Sequence, residues 1–224
     1  RAMYAEFKRF AADSSLLRME RVRNLLENML EYAKYYAAIK GVVAAGSGDM
    51  NVGQRLGLIQ KLDSTVTDPL VMYMFAIWRH HRISNDGLLR MLADLESYLF
   101  RRMICSVSSN GLNKLVPSLI AKLESAEHDL DETFAALLLT ETAKATRMPT
   151  DEQFRQALLG EDLYRPALRC KYLLAGLENH NHPKDPRSFS EYTIEHIMPQ
   201  NAMVHAEWRN MLADPDRFPL LVNS

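Results

Sequence analysis

Apolar residues recur at helical spacing through the first 180 positions, and two stripes stand out. Val22, Leu25, Leu26, Met29, Ala33, Tyr36 and Ala37 follow an i, i+3, i+4, i+7 pattern, as do Leu88, Met91, Leu92, Leu95, Leu99 and Met103. Both stripes predict long amphipathic helices packed on a common core. Leu70 to Trp78 is apolar all round, and its proline start and methionine content favour a central helix over a buried strand. Three helix starts are legible: Asp68 as an N-cap before Pro69, Asn85 ahead of the second stripe, and Thr150 with Gln153 as a capping box. Gly46 to Asp49 and Ser106 to Gly111 are small and polar, as loops between helices should be. Asn179 to Pro186 is the sharpest change in composition and reads as a linker or exposed loop. Beyond it, Phe189 to Ile194 has the aromatic and β-branched content of a short strand.

With 224 residues, 47% of them hydrophobic, the chain can bury one large core or two smaller ones. Its longest apolar run is far too short to cross a bilayer, and no basic-then-apolar leader opens it, so a cytoplasmic protein is expected, without membrane partners. Cys105 and Cys170 belong to no C-x-x-C pair and are expected to be free, buried thiols. A start at Arg1 and an apolar end through Leu220 to Val222 suggest a fragment of a longer protein. The formal charge of −1 is unevenly spread: residues 1–40 carry eight Lys or Arg against five Asp or Glu, whereas 121–163 carry four against ten. A nucleic-acid partner would therefore have to meet a local basic face, because the chain as a whole exerts no strong pull on phosphate.

The candidate chemistry lies in Tyr192 to Asn201. The strand would deliver Glu195 and His196 to its end, where Pro199 gives the backbone a reason to turn. Phosphodiester hydrolysis needs a base for water and a cation near the leaving oxygen. A neutral imidazole supplies the first, and a carboxylate can hold Mg²⁺, which prefers oxygen ligands. Taken alone the pair is unspecific, since a Glu-His dipeptide on a helix or loop is usually a solvated surface. His180 and His182 flank an asparagine in the expected loop and are read as solvated rather than as ligands. His80 and His81, between Arg79 and Arg82, suit a helix C-terminus without further function. Of Arg101 and Arg102, one is expected to pair with a carboxylate at the core edge while the other faces solvent; the competing reading is a DNA-facing ridge shared with Lys114. Gly41, Gly46, Gly48, Gly53 and Gly57 fit no phosphate-binding loop, so no nucleotide site is expected within the chain.

Tyr192 to Asn201, with Trp208 after it, resembles the start of the C-terminal HNH-like domain of GmrSD-type modification-dependent restriction endonucleases. Tyr4 to Lys8, Leu95 to Cys105, and Gly111-Leu112-Asn113-Lys114 resemble the helical region of the same proteins, in the family's order. In that family an N-terminal domain with a ParB-like fold uses nucleotide hydrolysis, helices follow, and an HNH-type domain cuts DNA. The resemblance implies a mainly α chain with a helical domain over 1–180 and a truncated ββα, HNH-like element over 188–224. By the same resemblance His196 is the general base and Glu195 a metal ligand, with Mg²⁺ as cofactor of the parent protein and none held by the fragment. DNA is the implied partner, along with an absent N-terminal domain and C-terminal remainder, and an oligomer is open. The rival reading is a non-catalytic helical module that binds protein through the acidic 121–163 segment, or binds DNA through a basic face running from the first helices to Arg79–Arg102.

Overall fold

The element that organises the molecule is the second apolar stripe. In the computed structural model, which describes residues 18–41, 50–62, 65–164 and 167–182 together with Lys8, Thr193, Asn210 and Met211, that stripe lies on a 20-residue helix surrounded by others. Eight α-helices of defined extent occur among the described residues, and no strand. They are α1 (Arg18–Ile39), α2 (Met50–Lys61), α3 (Asp68–Arg79), α4 (Asn85–Ile104), α5 (Leu112–Ser125), α6 (Leu130–Thr140), α7 (Asp151–Gly160) and α8 (Ala167–Asn181). Helix α4 touches α2, α3, α6 and α7, while α3 also packs against α1 and α5.

Leu88, Met91, Leu92, Leu95 and Leu99 of α4 are buried, as the spacing predicts, while Met103 at the end of the stripe is half-buried; Tyr98, outside the stripe, is buried as well. Each such side chain contributes roughly 1.5–3 kcal/mol by leaving water. Leu70 to Trp78 is the expected central helix, with Leu70, Val71, Met74, Phe75 and Ile77 buried among its neighbours. Helix α2 adds Val52, Leu56 and Ile59, and the far side is closed by Leu112, Leu115, Leu119 and Leu123 of α5 with Leu130, Phe134 and Leu138 of α6.

Helix α1 departs from expectation. The helix is present, but its stripe does not pack on the common core: Val22 is 47% exposed, Leu26 59%, Met29 54% and Tyr36 47%. The side that docks carries Tyr35 and Ile39, both buried, with Tyr35 against Phe75 of α3 at 6.0 Å between ring centroids. Lys40 Nζ bonds Asp68 Oδ2 at 2.7 Å, tying the end of α1 to the start of α3. Gly41, at φ +69°, closes α1 in the left-handed conformation that only glycine adopts without cost.

Helix starts were located to within a residue. The capping box at Thr150 forms in full: Thr150 Oγ1 accepts from Gln153 N at 3.2 Å, and Gln153 Oε1 accepts from Thr150 N at 3.0 Å. At α4 the cap is Ser84, not Asn85, because Ser84 has extended backbone and its hydroxyl accepts from Gly87 N at 3.0 Å. At α3 the capping position falls to Thr67, without a side-chain cap bond, and Asp68 begins the helix ahead of Pro69. The stretch read as a linker is helical at first, since α8 continues through His180 to Asn181. Gly46 to Asp49 and nearly all of 188–224 lie outside the described residues, so the ββα element is not shown. Thr193, within the expected strand, is exposed and not in a strand. No helix among the described residues is long and apolar enough to cross a membrane.

Replacing Ser84 by Ala is expected to destabilise the protein by about 1 kcal/mol through loss of the α4 cap. A shift in the urea midpoint of helix circular dichroism, with unchanged slope, would register it.

Candidate functional site

Glu195 and His196 lie outside the described residues. Among the described residues the densest polar arrangement is at the C-terminal end of α4, where Tyr98 and Arg102 stand one turn apart on the same face. Arg102 is 3% exposed, and its guanidinium is committed to backbone: it donates to Ser108 O at 2.6 Å, Ala145 O at 2.9 Å and, at the limit of a hydrogen bond, Arg147 O at 3.5 Å. The same group lies over the Tyr98 ring, 5.2 Å from its centroid, and Tyr98 Oη donates to Thr146 O at 2.5 Å. Two α4 side chains thus hold the connector of residues 141–150, which joins α6 to α7.

The connector also organises itself. Glu141 Oε1 accepts from Thr146 Oγ1 at 2.9 Å and from Ala143 N at 3.1 Å. Its close seat against the 3-10 turn at Ser109–Gly111 explains the glycine there: a Cβ on Gly111 would stand 2.5 Å from Ala145 O and 2.9 Å from Thr146 Cγ2. Gly111 is therefore a packing requirement of this seat.

Beyond the connector, α7 and α8 are held by a second set of α4 side chains. Arg101 Nη2 meets Asp151 Oδ1 at 2.6 Å, Nη1 donates to Pro149 O at 3.3 Å, and the guanidinium sits 5.3 Å from the Phe154 ring. Because Asp151 is almost fully exposed, that ion pair is worth under about 1 kcal/mol. The ring packing is the steadier contact: Phe100 meets Phe154 of α7 at 5.6 Å and Tyr172 of α8 at 5.0 Å. Tyr172 Oη donates to Glu96 Oε1 at 2.5 Å while Arg55 Nη1 of α2 donates to Glu96 Oε2 at 2.7 Å, so one carboxylate links α2, α4 and α8.

Arg101, Arg102 and Lys114 do not present three charges to solvent. Lys114 is exposed, Arg101 is half-buried and paired, and Arg102 is inside. The expectation that one arginine pairs with a carboxylate fits Arg101 and Asp151; Arg102 faces carbonyls, which sequence spacing cannot anticipate. Of the cations from Arg79 to Arg102, buried Arg102 adds nothing to a basic face, whereas Arg79, Arg82 and Arg90 are exposed: Arg82 donates to Ala126 O, Arg90 is paired with Asp131, and Arg79 lies against the Trp78 ring. His180 is exposed on α8, and His182 lies beside Glu178, with Nδ1 3.3 Å from the carboxylate. His80 approaches Glu31 at 3.3 Å. Among the described residues no group of three or more His, Cys, Asp or Glu can hold a metal ion. Cys170 is buried and Cys105 half-buried, both free, with burial pushing both thiols up.

Sequence reasoning missed Lys144 and Arg147. With Ser106, Ser108, Asn110 and Gln153 they line an open cleft of about 490 Å³ beside the connector. Both cations sit in the net-acidic 121–163 stretch, where the average hides them; the signal was two basic residues between small ones in a predicted connection. Their chemistry suits an oxyanion such as phosphate.

The described residues are mainly α-helical, and the last two described helices, α7 and α8, are fastened to the central α4. The family model of the GmrSD restriction endonucleases, C-terminal domain, matches residues 148–218, about a third of the chain. The resemblance to that family is thereby shown over this stretch. The match begins at the end of the connector, well before residue 188, and takes in α7, α8 and the Glu195-His196 pair. No curated protein and no solved structure matches the chain.

Replacing Arg102 by Met is expected to cost about 2–4 kcal/mol, because carbonyls lose a charged donor and the connector loses its anchor. Lys at this position, a point charge without the planar fork, should recover only part of that; urea unfolding of both variants checks the order. A second prediction concerns alkaline pH. Burial, with Glu141 adding and Arg102 opposing, pushes the Tyr98 hydroxyl from its ordinary 10.0 up to about 12. A raised folded value means stability that is complete below pH 10 and lost as pH climbs through about 12, roughly 2–3 kcal/mol. Tyr98→Phe should begin less stable but show a shallower fall across that window. Tyr35 and Tyr172, also raised, act with the same sign in both proteins and cancel in the comparison.

Proposed function

We propose that this chain is part of a divalent-metal-dependent DNA endonuclease of the restriction type. The observation that carries the reading is the match of residues 148–218 to the C-terminal domain of the GmrSD restriction endonucleases, a stretch that contains Glu195 and His196. In the proposed mechanism the neutral His196 imidazole accepts a proton from water as it attacks phosphorus, in line with the departing 3′-oxygen. Glu195 is the oxygen donor suited to Mg²⁺, and that ion when bound supplies positive charge near the leaving oxygen. Glu195 alone is a partial donor set for such an ion.

The helical body is proposed to relay the state of an N-terminal nucleotide-hydrolysing domain to the nuclease. Support comes from α4, whose Glu96, Phe100, Arg101 and Arg102 contact α2, the connector, α7 and α8. A displacement of α4 would be felt at the start of the matched segment through packed rings and charged hydrogen bonds. DNA is contacted by Lys114 and the outer edge of Arg101 together with Lys144 and Arg147 of the cleft, while Arg102 acts from inside by holding the connector.

Nicking of plasmid DNA by the parent protein tests the reading. Cutting should need Mg²⁺ and fall at least a hundredfold in His196→Ala, on the order of what a general base supplies, and strongly in Glu195→Ala. Undiminished cutting by both variants would sink the assignment.

A further inference from the structure

The apolar stripe of α1 that the core leaves uncovered has its own geometry. Val22, Leu26, Met29, Ala33 and Tyr36 follow a 4-3-4-3 spacing, the seam of a coiled coil, and all five are exposed. Leu30 at 59% and Tyr32 at 39% exposure widen it on either side. The docked residues Tyr35 and Ile39 lie on the other side of the helix, so α1 is fixed at its C-terminal end and presents this face outward along its length. Exposed side-chain area over Val22, Leu26, Met29, Leu30, Tyr32 and Tyr36 comes to roughly 500 Å², at or above the largest apolar patch expected of a typical monomer. An apolar face of that size on a folded protein marks a contact surface.

We infer that α1 pairs with α1 of a second copy of this chain, antiparallel, about a twofold axis between Glu27 and Asn28. The occupant follows from spacing and area. A heptad seam accepts another helix rather than a strand or a loop, because side chains of a facing helix fill its holes. Two such faces, flanking Leu30 and Tyr32 included, would bury about 1,000 Å² when fully covered, the least that a specific interface clears. The register follows from the sequence. Antiparallel helices match the two kinds of seam position crosswise, and about this axis Leu26 meets Met29 of the other copy while Val22 meets Ala33, so every one of these layers is apolar. Sliding by one heptad one way would set Val22 against Lys40 and put an ammonium into the seam, and sliding the other way would leave Ala33 opposite position 15, ahead of the start of α1 at Arg18. Arg23, at the flank, faces Leu30 of the other copy, and no like charges are opposed there. The pairing is isologous, each contact occurring twice, and leaves the two folded bodies at opposite ends of the helix pair. It is independent of the nuclease reading.

Sedimentation equilibrium of the chain across 1–100 µM, with cross-linking by a short bismaleimide, tests the pairing. The unmodified chain should reach twice its monomer mass within that range. Leu26→Glu should remain monomeric at 100 µM with the same helix content and urea midpoint as the dilute parent, since Leu26 lies outside the buried core and is 59% exposed. Val22→Cys combined with Ala33→Cys should cross-link to a covalent dimer, and Val22→Cys alone should cross-link no more than the unmodified chain. A monomer at 100 µM, a dimer that survives Leu26→Glu, or dimers cross-linked through Val22→Cys alone, the signature of parallel helices, would each overturn the inference.

Discussion

The arrangement depends on one buried cation. Arg102 sits inside the protein without a carboxylate, and its charge is accommodated by backbone carbonyls and the face of Tyr98. A planar guanidinium suits that environment: it is weakly hydrated for a cation, and its donors fan out in one plane toward separate acceptors. The bonds come from three places, the turn after α4 and two points in the connector, so a single side chain determines where the connector runs. Without it those carbonyls would need water, and Gly111 would have no reason to lie so close to Ala145. The desolvation cost of a charge is offset here by fixing a loop against the end of a helix.

The connector matters because of the segment it leads into. The stretch matching the endonuclease domain begins at Met148, directly after the residues held by Tyr98 and Arg102. Its first helix starts from the Thr150 capping box, with Arg101 against Phe154, and its second is reached through Phe100 and Tyr172. Positions 96, 98, 100, 101 and 102 of α4 thus face in different directions and still converge on one task. A helix can do this only near its end, where neighbouring turns are open to chain arriving from several sides.

Periodicity explains what was legible beforehand and what was not. The α4 stripe and the all-apolar α3 could be read because a fully buried helix has few alternatives. The α1 stripe could be read as a helix but not placed, since spacing says which residues share a face and not which face the protein covers. Tyr35 and Ile39 were enough to dock it, and two buried residues make no stripe. Thr150 was legible because both halves of its box are in the sequence, whereas at α4 a serine and an asparagine stand side by side and only backbone geometry assigns the cap to Ser84. The role of Arg102 was out of reach, because its acceptors are carbonyls that every residue carries. Glu195 and His196 were recognised through resemblance to a family, a source of information that packing does not supply.

The uncovered face of α1 has a physical origin in how the helices are anchored. Helix α4 adds inward polar side chains, Glu96, Tyr98 and Arg102, to the apolar contacts that fix its neighbours. Helix α1, with the residue after it, has as polar anchors among its described side chains Lys40 with Asp68, and Glu31 with Tyr35 and His80. Its apolar side chains are therefore not consumed by the fold, and a 22-residue helix is held by the packing near one end. Helices gain most of their stability from packing an apolar face rather than from propensity. A face of leucine, methionine, valine and tyrosine that the fold leaves in water carries a free-energy cost, and covering it with an identical face removes that cost from both helices at once.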